Sequence, residues 1–286
     1  MSKKLYFVAE IYGMCGGVHT ALKTLQTLVD RAGQGVFVFN ELVHNHAVTD
    51  SFVRQGVTFV NKIEDIPYGA KLVIGAHGVA PDLENELRRR AGECVDATCP
   101  LVKKLHHIAA SLNSDEQLII FGKSGHPEVV GVSGHSRAEK VFLISSPEEA
   151  AALPFLPHPV FISQTTVDHD EVNAALAILR TRFPLLKESS NICNASRLRQ
   201  AAVVQLAEKC DNILVIGSNH SSNARRLCEI AQRAGANSFL IDDETQISEE
   251  MISCGKIGIT SGASTPQYLF DRVIDALTNY GFVKGE

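Results

Sequence analysis

Short apolar runs alternate with helical patterns from one end of the chain to the other, the signature of an α/β protein with mainly parallel strands. Six of these runs end in polar clusters. Gly35-Val36-Phe37-Val38-Phe39 runs into His44-Asn45, and Leu72-Val73-Ile74 into Gly75-Ala76-His77-Gly78. Leu118-Ile119-Ile120-Phe121 leads to Gly125-His126-Pro127-Glu128, and Val160-Phe161-Ile162 to Ser163-Gln164-Thr165-Thr166. Ile213-Leu214-Val215-Ile216 precedes Gly217-Ser218-Asn219-His220-Ser221-Ser222-Asn223, and Ile257-Gly258-Ile259 precedes Thr260-Ser261-Gly262-Ala263-Ser264. Ligands of open α/β sheets bind beyond the carboxyl ends of the strands, where loops and helix N-termini converge. These tails, loaded with His, Ser, Thr, Asn and Glu, are therefore the expected binding positions.

Three cysteines, Cys15, Cys99 and Cys193, divide the chain into nearly equal thirds, and each third supplies two of the six strand tails. The local strings Gly13-Met14-Cys15-Gly16-Gly17, Asp96-Ala97-Thr98-Cys99-Pro100 and Asn191-Ile192-Cys193-Asn194-Ala195-Ser196 are rich in residues that punctuate or cap elements. The spacing predicts three small α/β domains around one central pocket: 17–99, 100–189 and 190–286, joined by the N-terminal segment 1–16. The stretch Leu153-Pro154-Phe155-Leu156-Pro157-His158-Pro159 reads as a rigid connector inside the middle domain, since closely spaced prolines cannot extend a helix.

At 286 residues, 45% hydrophobic and 21% charged, the chain has the balance of a globular protein with ample length for a core. A net charge of −5 gives no overall electrostatic reason to expect nucleic acid or an anionic membrane as a partner, so an anionic ligand needs a local site. Lys3-Lys4 opens a short apolar stretch that Glu10 interrupts, and neither a signal peptide nor a membrane span is expected. Seven cysteines, an odd number without the close regular spacing of a disulfide scaffold, point to a reducing cytoplasm. Thiols are then available for metal.

A free cysteine is commonly a small buried hydrophobe, and Cys94, Cys210, Cys228 and Cys254 read that way from their strand-like or helix-like surroundings. Cys15, Cys99 and Cys193 differ: three thiolates from distant segments suit one soft metal centre with a coordination position left for substrate. Long-range spacing by itself leaves both the shared metal and three separate thiols open. His44, His77 and His126, with Ser221, Ser222, Asn223 and Ser264 at equivalent tails, compose an anion pocket of imidazoles, hydroxyls and amides. The segment Gly217–Asn223 opens the helical pattern Ala224-Arg225-Arg226-Leu227-Cys228-Glu229-Ile230, which puts it at a helix N-terminus suited to phosphate. Glu128 is the natural proton source there, with Thr165 or Thr166 to relay or orient. Glu148-Glu149 and Asp242-Asp243-Glu244 read as helix starts or solvated loops without chemistry.

A longer set of strings carries a resemblance. Gly13-Met14-Cys15-Gly16-Gly17-Val18, Val43-His44-Asn45, Ala76-His77-Gly78-Val79, Asp96-Ala97-Thr98-Cys99-Pro100-Leu101-Val102, Gly125-His126-Pro127-Glu128-Val129, Gln164-Thr165-Thr166, Ile192-Cys193 with Ala195, Ser221-Ser222-Asn223 and Gly262-Ala263-Ser264 follow in order along essentially the whole chain. Together they resemble the 4-hydroxy-3-methylbut-2-enyl diphosphate reductase family, the last step of the methylerythritol phosphate route to isoprenoids.

The resemblance implies a trefoil of three α/β domains around a [4Fe–4S] cluster with three ligands, Cys15, Cys99 and Cys193, and an open apical iron that meets the substrate hydroxyl. It implies that His44, His77, Ser221, Ser222, Asn223 and Ser264 grip the diphosphate, that His126 borders it, and that Glu128, supported by Thr165, delivers protons. Two electrons from a ferredoxin or flavodoxin would expel the hydroxyl as water and leave an allyl anion-like species. Its protonation at either end would give isopentenyl or dimethylallyl diphosphate.

Several positions depart from the family pattern: Tyr12, Met14, Gly16, His19 and Thr20 around the first cysteine, Asn191 and Ser196 around the third, Val130 for a second Glu, and His135 where Gln is typical. None removes an expected cluster ligand, the acid or a main diphosphate contact, but they alter the surrounding shell. Three alternatives follow: a paralogue acting on a related diphosphate, a non-catalytic iron–sulfur sensor, and a three-cysteine zinc hydrolase. Retention of Glu128 and Thr165 argues against the sensor, and a zinc enzyme would be colourless where a cluster is brown.

Overall fold

The protein was analysed as a computed structural model that describes residues 3–189 and 192–285; Asn191, part of the string around the third cysteine, lies outside the described residues. In the first third the elements are β1 (Leu5–Val8), α1 (Gly16–Ala32), β2 (Val36–Phe39), α2 (His46–Val53), β3 (Val57–Val60), β4 (Lys71–Ile74), α3 (Pro81–Arg90) and β5 (Glu93–Asp96). The second contains α4 (Pro100–Ala110), β6 (Gln117–Phe121), α5 (Pro127–His135), β7 (Lys140–Ile144), α6 (Pro147–Ala152), β8 (Pro159–Ser163), α7 (His169–Arg182) and β9 (Lys187–Ser189). The last contains α8 (Asn194–Ala207), β10 (Asn212–Ile216), α9 (Ser222–Arg233), β11 (Asn237–Ile241), β12 (Lys256–Ser261), α10 (Gln267–Asn279) and β13 (Val283–Lys284).

These strands make three sheets, ordered β3-β2-β4-β5, β7-β6-β8-β9 and β11-β10-β12-β1-β13, and all the pairings are parallel. Each sheet with its helices is a small α/β domain, as expected from the sequence. The six apolar runs are the two central strands of each four-stranded sheet and two of the three inner strands, β10 and β12, of the five-stranded one. Their continuity has a direct cause, because a strand covered on both faces must be apolar at every position. In β6, Ile119 and Phe121 enter one core with Phe161 and Leu176, while Leu118 and Ile120 enter another with Leu105 and Val132. In β10, Ile213 and Val215 face α8 and α9 residues such as Val203 and Leu227, and Leu214 and Ile216 face Phe270 and Val273 of α10. Each such side chain, fully buried, contributes roughly 1.5–3 kcal/mol of transfer free energy.

The third sheet takes its fourth strand from the other end of the chain: β1 runs beside β12 in the register Leu5↔Lys256 to Val8↔Ile259. The Pro-rich stretch joins α6 to β8 as irregular backbone, with Pro159 opening the strand. By compactness the chain forms two units, one of Met1–Gly16, His44–Val48 and Asn194–Glu286, the other of Gly17–Val43 and Thr49–Cys193. The second unit contains the first two sheets, and within it α3 and α4 both pack on α5.

Candidate active site

One local arrangement recurs in all three sheets. The cysteines at 15, 99 and 193 each stand immediately before a helix, α1, α4 and α8 respectively, and each is half-buried. Each donates its backbone N–H to a carbonyl two residues beyond a central strand. Cys99 bonds Ala76 after β4 at 3.0 Å, Cys193 bonds Thr165 after β8 at 3.1 Å, and Cys15 bonds Ala263 after β12 at 3.0 Å. The first turn of a helix carries partial positive charge that favours an anionic ligand. A thiolate fixed by its own backbone at the start of a helix is a soft donor of the kind iron–sulfur clusters use.

None of the other four cysteines shares this setting. Cys94 lies within β5, Cys228 within α9 and Cys254 in the loop before β12. Only Cys210 is buried, so the expectation of four buried thiols holds for that one; the remaining three are half-buried at the edges of their cores. Burial pushes the Cys210 thiol up to about 12 and that of Cys228 to about 11, which leaves both as neutral packing groups.

In the unit formed by the first two sheets, the structure brings together Glu128, Thr165, His126 and His77. Glu128 is the second residue of α5 and only 2% exposed. Its carboxylate accepts the Thr165 backbone N–H at 2.7 Å on one oxygen and the Thr165 hydroxyl at 2.9 Å on the other. Burial drives the Glu128 carboxyl up to about 7, against the two hydrogen bonds from Thr165, which lower it. The acid is thus poised to hold or release a proton near neutral pH. His126 caps α5 by accepting the Glu128 N–H on Nδ1 at 3.2 Å, and a neutral ring that accepts there carries its hydrogen on Nε2. His77, in the tail of β4, meets the His126 ring edge to face at 5.5 Å.

The other unit carries the hydroxyl and amide donors. Ser221 is the N-cap of α9, its hydroxyl accepting the Ala224 N–H at 3.3 Å, and Ser222 and Asn223 are the first two helical residues. The Asn223 side-chain amide nitrogen is buried without a hydrogen-bond partner among the described residues. A buried donor left unmatched costs about 1–3 kcal/mol, and an anionic oxygen at this helix terminus would satisfy it. Ser264, in the tail of β12, donates its hydroxyl to the His44 carbonyl at 3.1 Å, so these two expected contacts are tied through backbone and side chain.

Three supporting groups carry no sequence signal of their own. Arg199 in α8 is 3% exposed and donates to the Gly13 carbonyl at 2.5 Å and the Ala195 carbonyl at 2.8 Å, pinning the loop that ends at Cys15. Ser261 accepts the Gly13 N–H at 2.8 Å. Asp96 accepts the Thr98 N–H at 2.9 Å and pairs with Lys103 at 2.7 Å, fixing the turn into Cys99, and hydrogen bonds from Lys103 and Thr98 hold its carboxyl below the usual carboxylate range despite its burial. The bonds of Ser261 and Arg199 to Gly13 span 248 and 186 positions, beyond any local pattern in the chain.

Comparison with known proteins gives the arrangement its setting. The family model described as LytB protein matches residues 7–278. The 4-hydroxy-3-methylbut-2-enyl diphosphate reductase of Rhodococcus jostii (strain RHA1) is 38% identical over 287 residues, covering 98% of this chain and 85% of that protein. The protein of that name from Escherichia coli O1:K1 / APEC is 39% identical over 282 residues, covering 96% and 89%. The solved E-1-hydroxy-2-methyl-but-2-enyl-4-diphosphate reductase from Plasmodium falciparum superposes with a TM-score of 0.90 at 27% identity, across 99% of this chain and 92% of that one. With a family match over nearly its whole length and relatives of this similarity, the chain belongs to the LytB family of 4-hydroxy-3-methylbut-2-enyl diphosphate reductases.

Proposed function

We propose that the chain reductively dehydroxylates 4-hydroxy-3-methylbut-2-enyl diphosphate to isopentenyl and dimethylallyl diphosphate. One observation carries the chemical reading beyond family membership: a carboxyl that is almost fully buried, held near neutrality and gripped by a single threonine. A solvated glutamate would be ionised at neutral pH and could not serve as acid. Glu128 therefore supplies the proton, and Thr165 fixes both of its oxygens in place.

The three cysteines at helix starts would hold the cluster: Cys15, Cys99 and Cys193. When bound, a [4Fe–4S] cluster with three cysteine ligands supplies electrons singly and offers an open apical iron as Lewis acid to the substrate hydroxyl. The chain's own groups do the rest. His44, His77, His126, Ser221, Ser222, Asn223 and Ser264 bind the diphosphate through hydrogen bonds from their imidazoles, hydroxyls and amide. Holding that end fixed orients the allylic end toward the acid. The reaction takes up two electrons and two protons, one leaving with the hydroxyl as water and one added at the allylic carbon; Glu128 delivers the protons in turn, and His126, which already contacts the Glu128 backbone, links the acid to the diphosphate grip.

In this reading the three α/β domains are 17–99, 100–189 and 190–286, joined by 1–16, and the electron donor is a ferredoxin or flavodoxin in the cytoplasm. No helix among the described residues is long and apolar enough to cross a membrane. The test is anaerobic purification with iron and sulfide analysis, followed by turnover of the named diphosphate with a reduced ferredoxin or a viologen dye. Brown protein that forms the two isomeric products supports the assignment. A colourless protein with zinc, or a cluster-loaded protein inert toward this substrate, rejects it.

A further inference from the structure

His106 and His135 form a pair that the proposed chemistry does not use. His106 lies in α4, the helix that starts at Cys99, and His135 is the last residue of α5, the helix that starts after His126 and carries Glu128. Their rings stack with centroids 4.0 Å apart and planes 16° apart. His106 is buried, and its Nε2 has no hydrogen-bond partner among the described residues. A polar ring paying that desolvation without a bond calls for a reason. His135 is anchored by its Nδ1 against the Gly131 carbonyl, 2.8 Å away.

The reason lies in what touches the His106 ring. Gly78, next to His77 and held at a φ of +68°, leaves so little room that a Cβ there would meet His106 Cε1 at 2.6 Å and the Thr98 methyl at 3.0 Å. Gly131, on α5 one turn beyond Glu128, approaches so closely that its Cβ would lie 2.9 Å from His106 Nε2. Gly134 of the same helix fits against Ala80, where a Cβ would meet the alanine methyl at 2.5 Å. One imidazole is thus wedged between the loop that carries His77 and the helix that carries His126 and Glu128. Interiors this tightly packed transmit displacement instead of absorbing it.

We propose that the His106–His135 stack is a positioning pair that sets the spacing of His77 and His126, and through it the grip on the diphosphate. The proposal rests on the assignment of those two histidines to the diphosphate. His135 covers one face of the His106 ring, so removing His135 frees the ring to shift and the His77 loop to follow. Burial, reinforced by the neighbouring His135, holds His106 down to about 4, so the ring stays uncharged in the stack through the neutral range. Lys103, His107 and Asp96 are the other titratable groups that act on it.

The test compares His135→Ala and His135→Gln in the cluster-loaded protein, with binding of inorganic diphosphate measured by calorimetry beside turnover, iron content and melting temperature. His135→Ala should weaken inorganic diphosphate by about tenfold to a hundredfold and raise KM more than it lowers kcat, at unchanged iron content and with little change in melting temperature. Gln, planar and able to donate to the Gly131 carbonyl, should restore most of the loss. Wild-type affinity in His135→Ala, a loss that Gln does not recover, a loss that only parallels a fall in stability, or no inorganic diphosphate binding by the wild type would each overturn the proposal. Binding that responds as expected in a protein inert toward the organic substrate would instead remove the proposed reaction and leave the positioning pair standing.

Discussion

Thr165 holds Glu128 by both carboxylate oxygens, through its backbone N–H at 2.7 Å and its hydroxyl at 2.9 Å, although the two residues lie 37 positions apart. The clamp and the burial pull the acidity of Glu128 in opposite directions, and burial prevails, at about 7. Turnover that needs the protonated acid should therefore fall as pH rises through about 7. Thr165→Val removes one bond that stabilises the carboxylate, so its alkaline limb should move to higher pH. Glu128→Gln should lose about 10²–10⁴-fold in kcat while retaining substrate binding. A Thr165→Val profile displaced to lower pH would contradict this account.

The same burial predicts a stability slope. Below about pH 4.5 Glu128 is protonated folded or unfolded; between there and about 7 only the unfolded chain ionises, so folding loses on the order of 3 kcal/mol across that window. Glu128→Gln removes the titration. Its melting temperature should change less between pH 5 and pH 8 than that of the wild type, a comparison accessible by calorimetry.

Cys15, Cys99 and Cys193 are distinguished from the other four thiols by position alone, each at a helix start with its N–H bonded beyond a central strand. Serine at any of the three should lower bound iron. Serine at Cys210 or Cys228, whose thiols burial keeps neutral, should leave iron content near wild type. Equal loss at all five positions would mean that instability, not ligation, governs iron content.

Arg199 gives a test of the support beneath Cys15. Arg199→Met leaves the Gly13 and Ala195 carbonyls without this donor, a loss of about 1–3 kcal/mol if they stay buried. Denaturant titration should register that loss. Alkylation of Cys15 in the apoprotein should also become faster, because the loop before it is no longer pinned. Destabilisation without faster alkylation would confine Arg199 to holding the fold.

Asn223 offers the corresponding test of the proposed diphosphate grip. Its buried amide nitrogen has no partner among the described residues, so Asn223→Leu should cost the folded protein little yet weaken inorganic diphosphate measurably, the reverse of what a packing residue would do. Calorimetry of the variant beside its melting curve separates the two.

How much of this is legible in the chain depends on where each residue sits in its sheet. Ile119, Leu118 and their counterparts announce their strands because central parallel strands, covered on both faces, leave no room for polar residues. The edge strands carry no such continuous apolar run: Glu93-Cys94-Val95-Asp96 and Lys187-Glu188-Ser189 are exposed or half-buried. The cysteines, the histidines and Glu128 are visible because their residue types and neighbouring Gly, Pro and Asn stand out locally. His106 is not, since a histidine in a helix looks like any other until Gly78 and Gly131 are found against its ring.

By itself the sequence determined the layered α/β class, the six central strands and the chemical character of the tails that follow them. All of these are set by local periodicity and by side-chain chemistry. The tertiary structure alone decided that β1 completes the last sheet, that Arg199 reaches Gly13 across 186 positions and that Glu128 is dry enough to hold its proton near pH 7. Strand partnership, buried hydrogen bonds and desolvation arise from groups remote in the chain, whose meeting no local pattern encodes.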